Sequence, residues 1–148
     1  MKTVIQRVLE ASVEIDGRVH GSCGPGYLIL VGINDEDDEN TVDAMAGKIS
    51  RLRIFSDEAG KMNRSILDVG GSVLSISQFT LYADCHKGNR PSFTKAGKPA
   101  HAEKMYLLFN ETLRGYGIPV DEGIFGADMK VSLVNDGPVT IILDSKEI

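Results

Sequence analysis

The chain predicts an α+β fold in which a mostly antiparallel β-sheet curls into a barrel-like core and carries two amphipathic helices. Three observations support this: β-rich runs open and close the chain, two stretches of helical periodicity interrupt them, and no repeat, linker or low-complexity tract intervenes. With 148 residues, 42% hydrophobic and 25% charged, the composition predicts one compact domain over residues 1–148. A fold of this length buries roughly 68–70% of its unfolded surface, enough to hold a core without metals or disulfides.

Residues 2–9 alternate weakly through Val4, Ile5, Val8 and Leu9, and Ser12-Val13-Glu14-Ile15 alternates cleanly into Asp16-Gly17, a two-residue hairpin turn. Gly24-Pro25-Gly26 breaks the pattern. Tyr27 to Ile33, short, β-rich and bounded by turn residues, predicts a buried strand. Asp37, Asp38 and Glu39 suit a helix start, where the helix dipole favours negative charge. Val42, Met45, Ile49 and Leu52 then recur at helical spacing, predicting a helix over about 39–53 with one apolar face. Glu58 to Lys61 marks a turn, and the stretch to Asp68 fits either a short strand or a loop. After Gly70-Gly71, the run Ser72 to Tyr82 predicts a central strand that passes into a loop. Residues 84–98, with Gly88, Pro91, Gly97 and several cations, predict a long surface loop of the kind that often carries function. Pro99 suits the first position of a second helix; Met105, Phe109, Thr112, Leu113 and Tyr116 form its stripe, and Gly115 and Gly117 end it. Met129 to Val134 alternates, Asn135 to Pro138 predicts a turn, and Val139 to Leu143 predicts the returning strand.

Several function classes are disfavoured at this level. The longest apolar run, Tyr27 to Val31, is far short of the roughly 18 residues a membrane helix needs. Met1 to Arg7 carries charge and alternation where a secretory signal needs an unbroken apolar stretch. The expectation is a soluble, cytoplasmic protein. Cys23 and Cys85 form no CxxC pair, and His20, His86 and His101 show no metal-binding spacing, so neither a metal nor a disulfide is expected. The glycines form neither a GxGxxG nor a P-loop pattern, and no cofactor is expected. A net charge of −5 argues against a protein that coats nucleic acid through one broad basic field. Lys87, Arg90, Lys95, Lys98 and Lys104 nevertheless cluster over 86–104 against Glu103 alone, which fits either a local anion-binding surface or a solvated loop and helix face.

Cys85-His86 invites a thiol-hydrolase reading, but adjacent side chains on an extended segment point to opposite faces, so adjacency alone does not activate a thiolate. Two polar clusters in β context stand out instead. Ser77-Gln78-Phe79-Thr80 ends the central strand with two hydroxyls, an amide and several backbone N–H groups near one point, although such hydroxyls often only satisfy turns. Asn135-Asp136-Gly137-Pro138-Val139-Thr140 places proline where a ladder donor would be lost. Either an ordinary trans turn or a special bend with a cis Gly-Pro bond accommodates it.

These two clusters strongly resemble the two signature motifs of the D-aminoacyl-tRNA deacylases, also called D-tyrosyl-tRNA deacylases. The similarity extends along nearly the whole chain through Val4 to Arg7, Arg53 to Ser56, Gly60 to Asn63, Arg90 to Phe93 and Phe125 to Met129. It implies a homodimer of barrel-like subunits that hydrolyses the ester joining a D-amino acid, or mischarged glycine, to the terminal adenosine of tRNA. By the same resemblance Ser77, Gln78, Phe79 and Thr80 form the catalytic pocket. Gly137-Pro138 is implied to be a cis pair that enters the partner subunit's site, with Asn135 and Thr140 counted in the substrate-binding set. Phe125 and Met129 are implied to hold the terminal adenosine, and Arg7 to brace the Gly-Pro element.

The chemistry suits a site without an obvious base. An aminoacyl ester is already activated, so positioning plus stabilisation of the developing oxyanion by N–H groups around Phe79 and Thr80 is sufficient. The resemblance adds assistance from a ribose 2′-hydroxyl of the substrate. Thr80 is then a positioning group, since neither motif supplies a His or Asp to accompany it. An L side chain would be driven against the Gly137-Pro138 carbonyls, whereas D side chains and glycine would not. Lys87, Arg90, Lys95 and Lys98 are candidates for contact with acceptor-stem phosphates. Two other classes stay open: a dimeric small-ligand or RNA-binding module without turnover, for which 6% aromatics without tryptophan is thin, and the thiol hydrolase.

Overall fold

The computed structural model describes all residues, 1–148. Eight strands and two helices follow in the order β1 (Lys2–Ile15), β2 (Arg18–Cys23), β3 (Gly26–Gly32), α1 (Glu39–Arg51), β4 (Phe55–Ser56), β5 (Met62–Arg64), β6 (Ser72–Ser77), α2 (Pro99–Gly115), β7 (Val120–Glu122) and β8 (Lys130–Asp144). The main sheet runs β2-β1-β3-β6-β7, with β8 on the other side of β1. The pairs of β1 with β2, β3 and β8 are antiparallel, and β3-β6 and β6-β7 are parallel. The sheet nearly closes on itself: the Ser22 N–H of β2 donates to Asp121 of β7 at 3.0 Å, and a Cβ at Gly21 would sit 3.0 Å from the Glu122 carbonyl.

Both helices form where the periodicity places them. Asp38 caps α1 by accepting from the Thr41 N–H at 2.8 Å, and Val42, Met45 and Ile49 are buried against the sheet. Asp37 serves differently from a dipole charge: it is buried and pairs with the Met1 amino group. In α2, Met105, Phe109 and Leu113 are buried, and Tyr116 caps the C-terminus before Gly117 at φ +92°. The larger core lies between the helices and one sheet face, around Ile5, Tyr27, Ile29, Met45 and Phe109; a smaller one, around Val13, Leu28, Leu74 and Ile76, fills the barrel interior.

Three elements differ from expectation. Residues 2–9 and 12–15 are one strand, because β1 pairs with β3 along its first half and β2 along its second. The central strand stops at Ser77, where Gln78 donates its N–H to the Val31 carbonyl at 2.7 Å and Phe79–Tyr82 coils into a short 3-10 turn. The predicted hairpin at 135–138 does not form. Residues 130–134 and 140–144 both pair with β1, so the chain runs straight on, and 136–139 arch out opposite Arg7. A long β1 offers both halves a partner, which a two-stranded return would leave unused. The three-residue β7 and its parallel pairing carry too little periodicity to be seen in the sequence. The stretch left open between turn and Asp68 contains β5, paired with β4.

Candidate active site

Ser77 sits at the carboxyl end of β6 because its parallel pairing with β3 terminates there, opposite Val31. The 3-10 turn that follows leaves the leading N–H groups of Phe79 and Thr80 without a carbonyl partner inside the turn. The Gln78 amide donates to the Thr80 hydroxyl, so the two polar side chains of the motif are already oriented toward each other. Phe79 is 54% exposed. One edge is occupied by Phe93 of the 84–98 loop, with ring centroids 5.1 Å apart at 74°.

A cavity of about 520 Å³ opens beside this strand end. Ile76, Ser77, Gln78 and Phe79 form one wall, Phe93, Ala96, Gly97, Pro99 and Ala102 a second, and Phe125, Gly126, Ala127, Met129 and Val131 a third. Its volume suits a nucleoside-sized ligand, and its lining is mainly apolar with a few polar groups at one end. The structure thus brings Ser77, Gln78, Phe79, Phe125 and Met129 together. Thr80 follows directly on Phe79 but does not line the cavity. The wall from the 84–98 loop and the start of α2 was missed by sequence reasoning; Phe93 within the Arg90-Pro91-Ser92-Phe93 stretch was the available signal.

The second motif lies elsewhere in the chain. Gly137-Pro138 is cis and stands exposed at the top of the arch. Gly137 has φ +133°, and a Cβ there would fall 2.7 Å from a Val139 methyl and 3.2 Å from an Arg7 nitrogen, so only glycine fits. Arg7 supports the arch from below: its Nε donates to the Asp136 carbonyl at 3.1 Å and one terminal nitrogen donates to the Ile54 carbonyl at 2.7 Å. Asn135 closes the base, accepting from the Val139 N–H at 3.0 Å and donating to Thr140 Oγ1 at 3.1 Å. Strands β3 and β1 separate this arch from Ser77, a lateral gap of about 14 Å at ordinary strand spacing.

Lys87, Arg90, Lys95 and Lys98 are all exposed on or beside the 84–98 loop. The Asp84 carboxylate accepts from the His86 N–H and pairs with Lys95 at 3.0 Å, which together hold it below the usual range, and the Asp84 backbone bridges to that of Ser92. Cys85 and His86 are exposed, and the bond His86 makes is through its backbone. Cys23 is buried; desolvation pushes its thiol up to about 11, against weaker lowering by the Leu74 and Ala11 backbones.

The model of the family described as D-Tyr-tRNA(Tyr) deacylase matches residues 4–144. A D-aminoacyl-tRNA deacylase of Thermomicrobium roseum is 58% identical, aligned over 100% of this chain and 96% of its own length. One of Bifidobacterium longum subsp. infantis is 57% identical over 99% of this chain and 95% of its own. Among solved structures, one titled c-Myc DNA Unwinding Element Binding Protein superposes with a TM-score of 0.92 at 43% identity, covering 97% of this chain and 98% of that one. Another, a probable eukaryotic D-amino acid tRNA deacylase, has a TM-score of 0.82 at 14% identity over 96% and 97% of the two chains, a likeness of fold. The two polar motifs, the cavity at one of them and matches that run nearly end to end agree: the chain belongs to the D-Tyr-tRNA(Tyr) deacylase family, enzymes that hydrolyse D-aminoacyl-tRNA.

Proposed function

We propose that the chain works as a cytoplasmic homodimer that hydrolyses the ester of D-aminoacyl-tRNA, and of mischarged glycyl-tRNA, and rejects L-aminoacyl-tRNA by steric exclusion. The observation that carries the reading is the separation of the two motifs. Neither Gly137 nor Pro138 lines the cavity at Ser77 to Phe79, and the braced arch lies across β1 and β3 from that strand end. A second copy supplies the missing half of each site. Val134 and Ile142, 45% and 72% exposed on either side of the arch, are apolar surface that such a copy would cover.

In this arrangement the terminal adenosine enters the cavity against Phe125 and Met129, and its ester carbonyl comes to the strand end. The Phe79 and Thr80 N–H groups stabilise the oxyanion as it forms, and Thr80 with Gln78 orients the reacting end. A ribose 2′-hydroxyl of the substrate assists in place of a protein base. The partner's arch presents rigid carbonyls to the face of Cα that an L side chain would occupy, and a D side chain or the hydrogen of glycine passes. Asn135, Thr140 and Arg7 keep the arch in place. Lys87, Arg90, Lys95 and Lys98 are exposed on or beside the loop that walls the cavity, which supports their contact with acceptor-stem phosphates.

The test compares D-tyrosyl-tRNA, L-tyrosyl-tRNA and glycyl-tRNA with the purified protein. Loss of the D and glycyl esters with the L ester left intact is expected. Saturable tRNA binding with all three esters stable would instead assign a binding module without turnover.

A further inference from the structure

Behind the third wall of the cavity, between α2 and the β6–β7 ladder, lies a buried polar cluster that the chemistry above does not use. Tyr106, Asn110 and Ser75 are 1%, 0% and 0% exposed. The Tyr106 hydroxyl donates to the Ser75 carbonyl at 2.7 Å, and that carbonyl also accepts the Gly123 N–H at 3.2 Å, where β7 passes into the cavity wall. Asn110 donates to a Glu122 carboxylate oxygen at 2.7 Å, which Arg114 also reaches at 3.3 Å. Ser75 Oγ and Asn110 Oδ1 have no partner, although burying such atoms unpaired is costly. Burial raises the Tyr106 phenol pKa.

On its other side Tyr106 backs a residue that lines the cavity. Its ring lies against Phe125, centroids 6.3 Å apart and planes tilted by 43°. A phenylalanine would fill the same space without burying a hydroxyl, so packing alone does not account for tyrosine here. The hydroxyl pins the carbonyl from which the wall departs, and the ring backs the aromatic that the wall presents.

We propose that Tyr106 is a positioning residue for substrate: through the Ser75 carbonyl and the Phe125 ring it fixes the 123–129 wall on which the terminal nucleoside of the tRNA rests. This rests on the reading of the cavity as the nucleoside recess. A loosened wall weakens binding of the nucleoside end, while the strand end and its N–H groups, which act on the ester, are untouched.

The experiment measures D-tyrosyl-tRNA hydrolysis and, separately, AMP binding by calorimetry for wild type, Tyr106→Phe and Leu113→Val. Leu113 is fully buried on the same helix and touches neither Ser75 nor Phe125 through a hydrogen bond, so it reports a general loss of stability. For Tyr106→Phe, KM and the AMP Kd are expected to rise together by about five- to tenfold, the worth of one hydrogen bond, with kcat within about twofold. Leu113→Val is expected to lower Tm and leave KM unchanged. An unchanged KM in Tyr106→Phe, or an equal rise in both variants, overturns the assignment while the nucleoside reading stands. Failure of the wild type to bind AMP removes the nucleoside recess and this proposal with it.

Discussion

The hydroxyl of Thr80 accepts a hydrogen bond from the Gln78 amide, and neither a histidine nor a carboxylate bonds to it. A nucleophile without a base is a poor one, whereas a hydrogen-bonded hydroxyl at the strand end orients a carbonyl well. Thr80→Ala is therefore expected to lower kcat by about tenfold, the scale of one positioning hydrogen bond, and not by the factor of about 10⁴ or more that removal of a triad member costs. Single-turnover kinetics on D-tyrosyl-tRNA separate the two. Cysteine chemistry gives a second expectation at this scale. Burial holds the Cys23 thiol up near 11, so the native protein labels at Cys85 alone near neutral pH, and Cys85→Ser keeps full activity. A thiol titration with and without denaturant checks the first, and the ester assay the second. The polar residues of the first motif could be read as a cluster in the sequence because they are consecutive. The Tyr106, Ser75, Asn110 and Glu122 cluster could not, since its members look like ordinary helix and strand positions until three elements fold together.

Strand β8 shows how an element can mislead. Asn135 to Pro138 has turn composition, and local chemistry alone gives a hairpin; the partner for both flanks, however, is β1, more than a hundred residues away in sequence. The same arch makes a prediction. With φ at +133° and no room for a Cβ beside Val139, Gly137→Ala costs about 1–3 kcal/mol of local strain and displaces the arch. The expected outcome is a fall in the ratio of D- to L-ester hydrolysis, through gain of L-ester activity, with a modest drop in Tm. Helix α1 was legible because its acidic start and its stripe are local, whereas the capping role of Asp38 shows only in the structure. Its cap is testable: Asp38→Ala lowers Tm, and Asp38→Asn restores most of the loss. The Thr41 N–H holds the Asp38 carboxyl below its ordinary value, so the ionised cap stabilises fully above about pH 3.9 and its benefit is lost as pH falls through the folded value. The Tm difference between wild type and Asp38→Ala should accordingly shrink on acidification below that point.

For the whole molecule, a net charge of −5 goes with four exposed cations gathered around one loop, proposed above as the local tRNA contact. Replacing Lys87, Arg90, Lys95 and Lys98 by glutamine is expected to weaken tRNA binding and to flatten its salt dependence, by a slope of about 0.7–0.9 for each phosphate that a cation no longer neutralises. Binding titrations at several salt concentrations give that slope directly. Fold class and both helices followed from periodicity, but the apolar surface beside the arch did not, because an exposed Ile142 or Val134 looks like any outward strand residue until the arch is seen. The central claim is that one active site takes its cavity from one copy and its arch from the other. A heterodimer of an Ala127→Trp copy, whose cavity is filled, with a Gly137→Ala copy tests it. Shared sites leave one intact pairing, the open cavity of the second copy with the native arch of the first, and the purified heterodimer hydrolyses D-tyrosyl-tRNA while sparing the L ester. Persistence of the L-ester hydrolysis of the Gly137→Ala parent in that heterodimer would contradict the account.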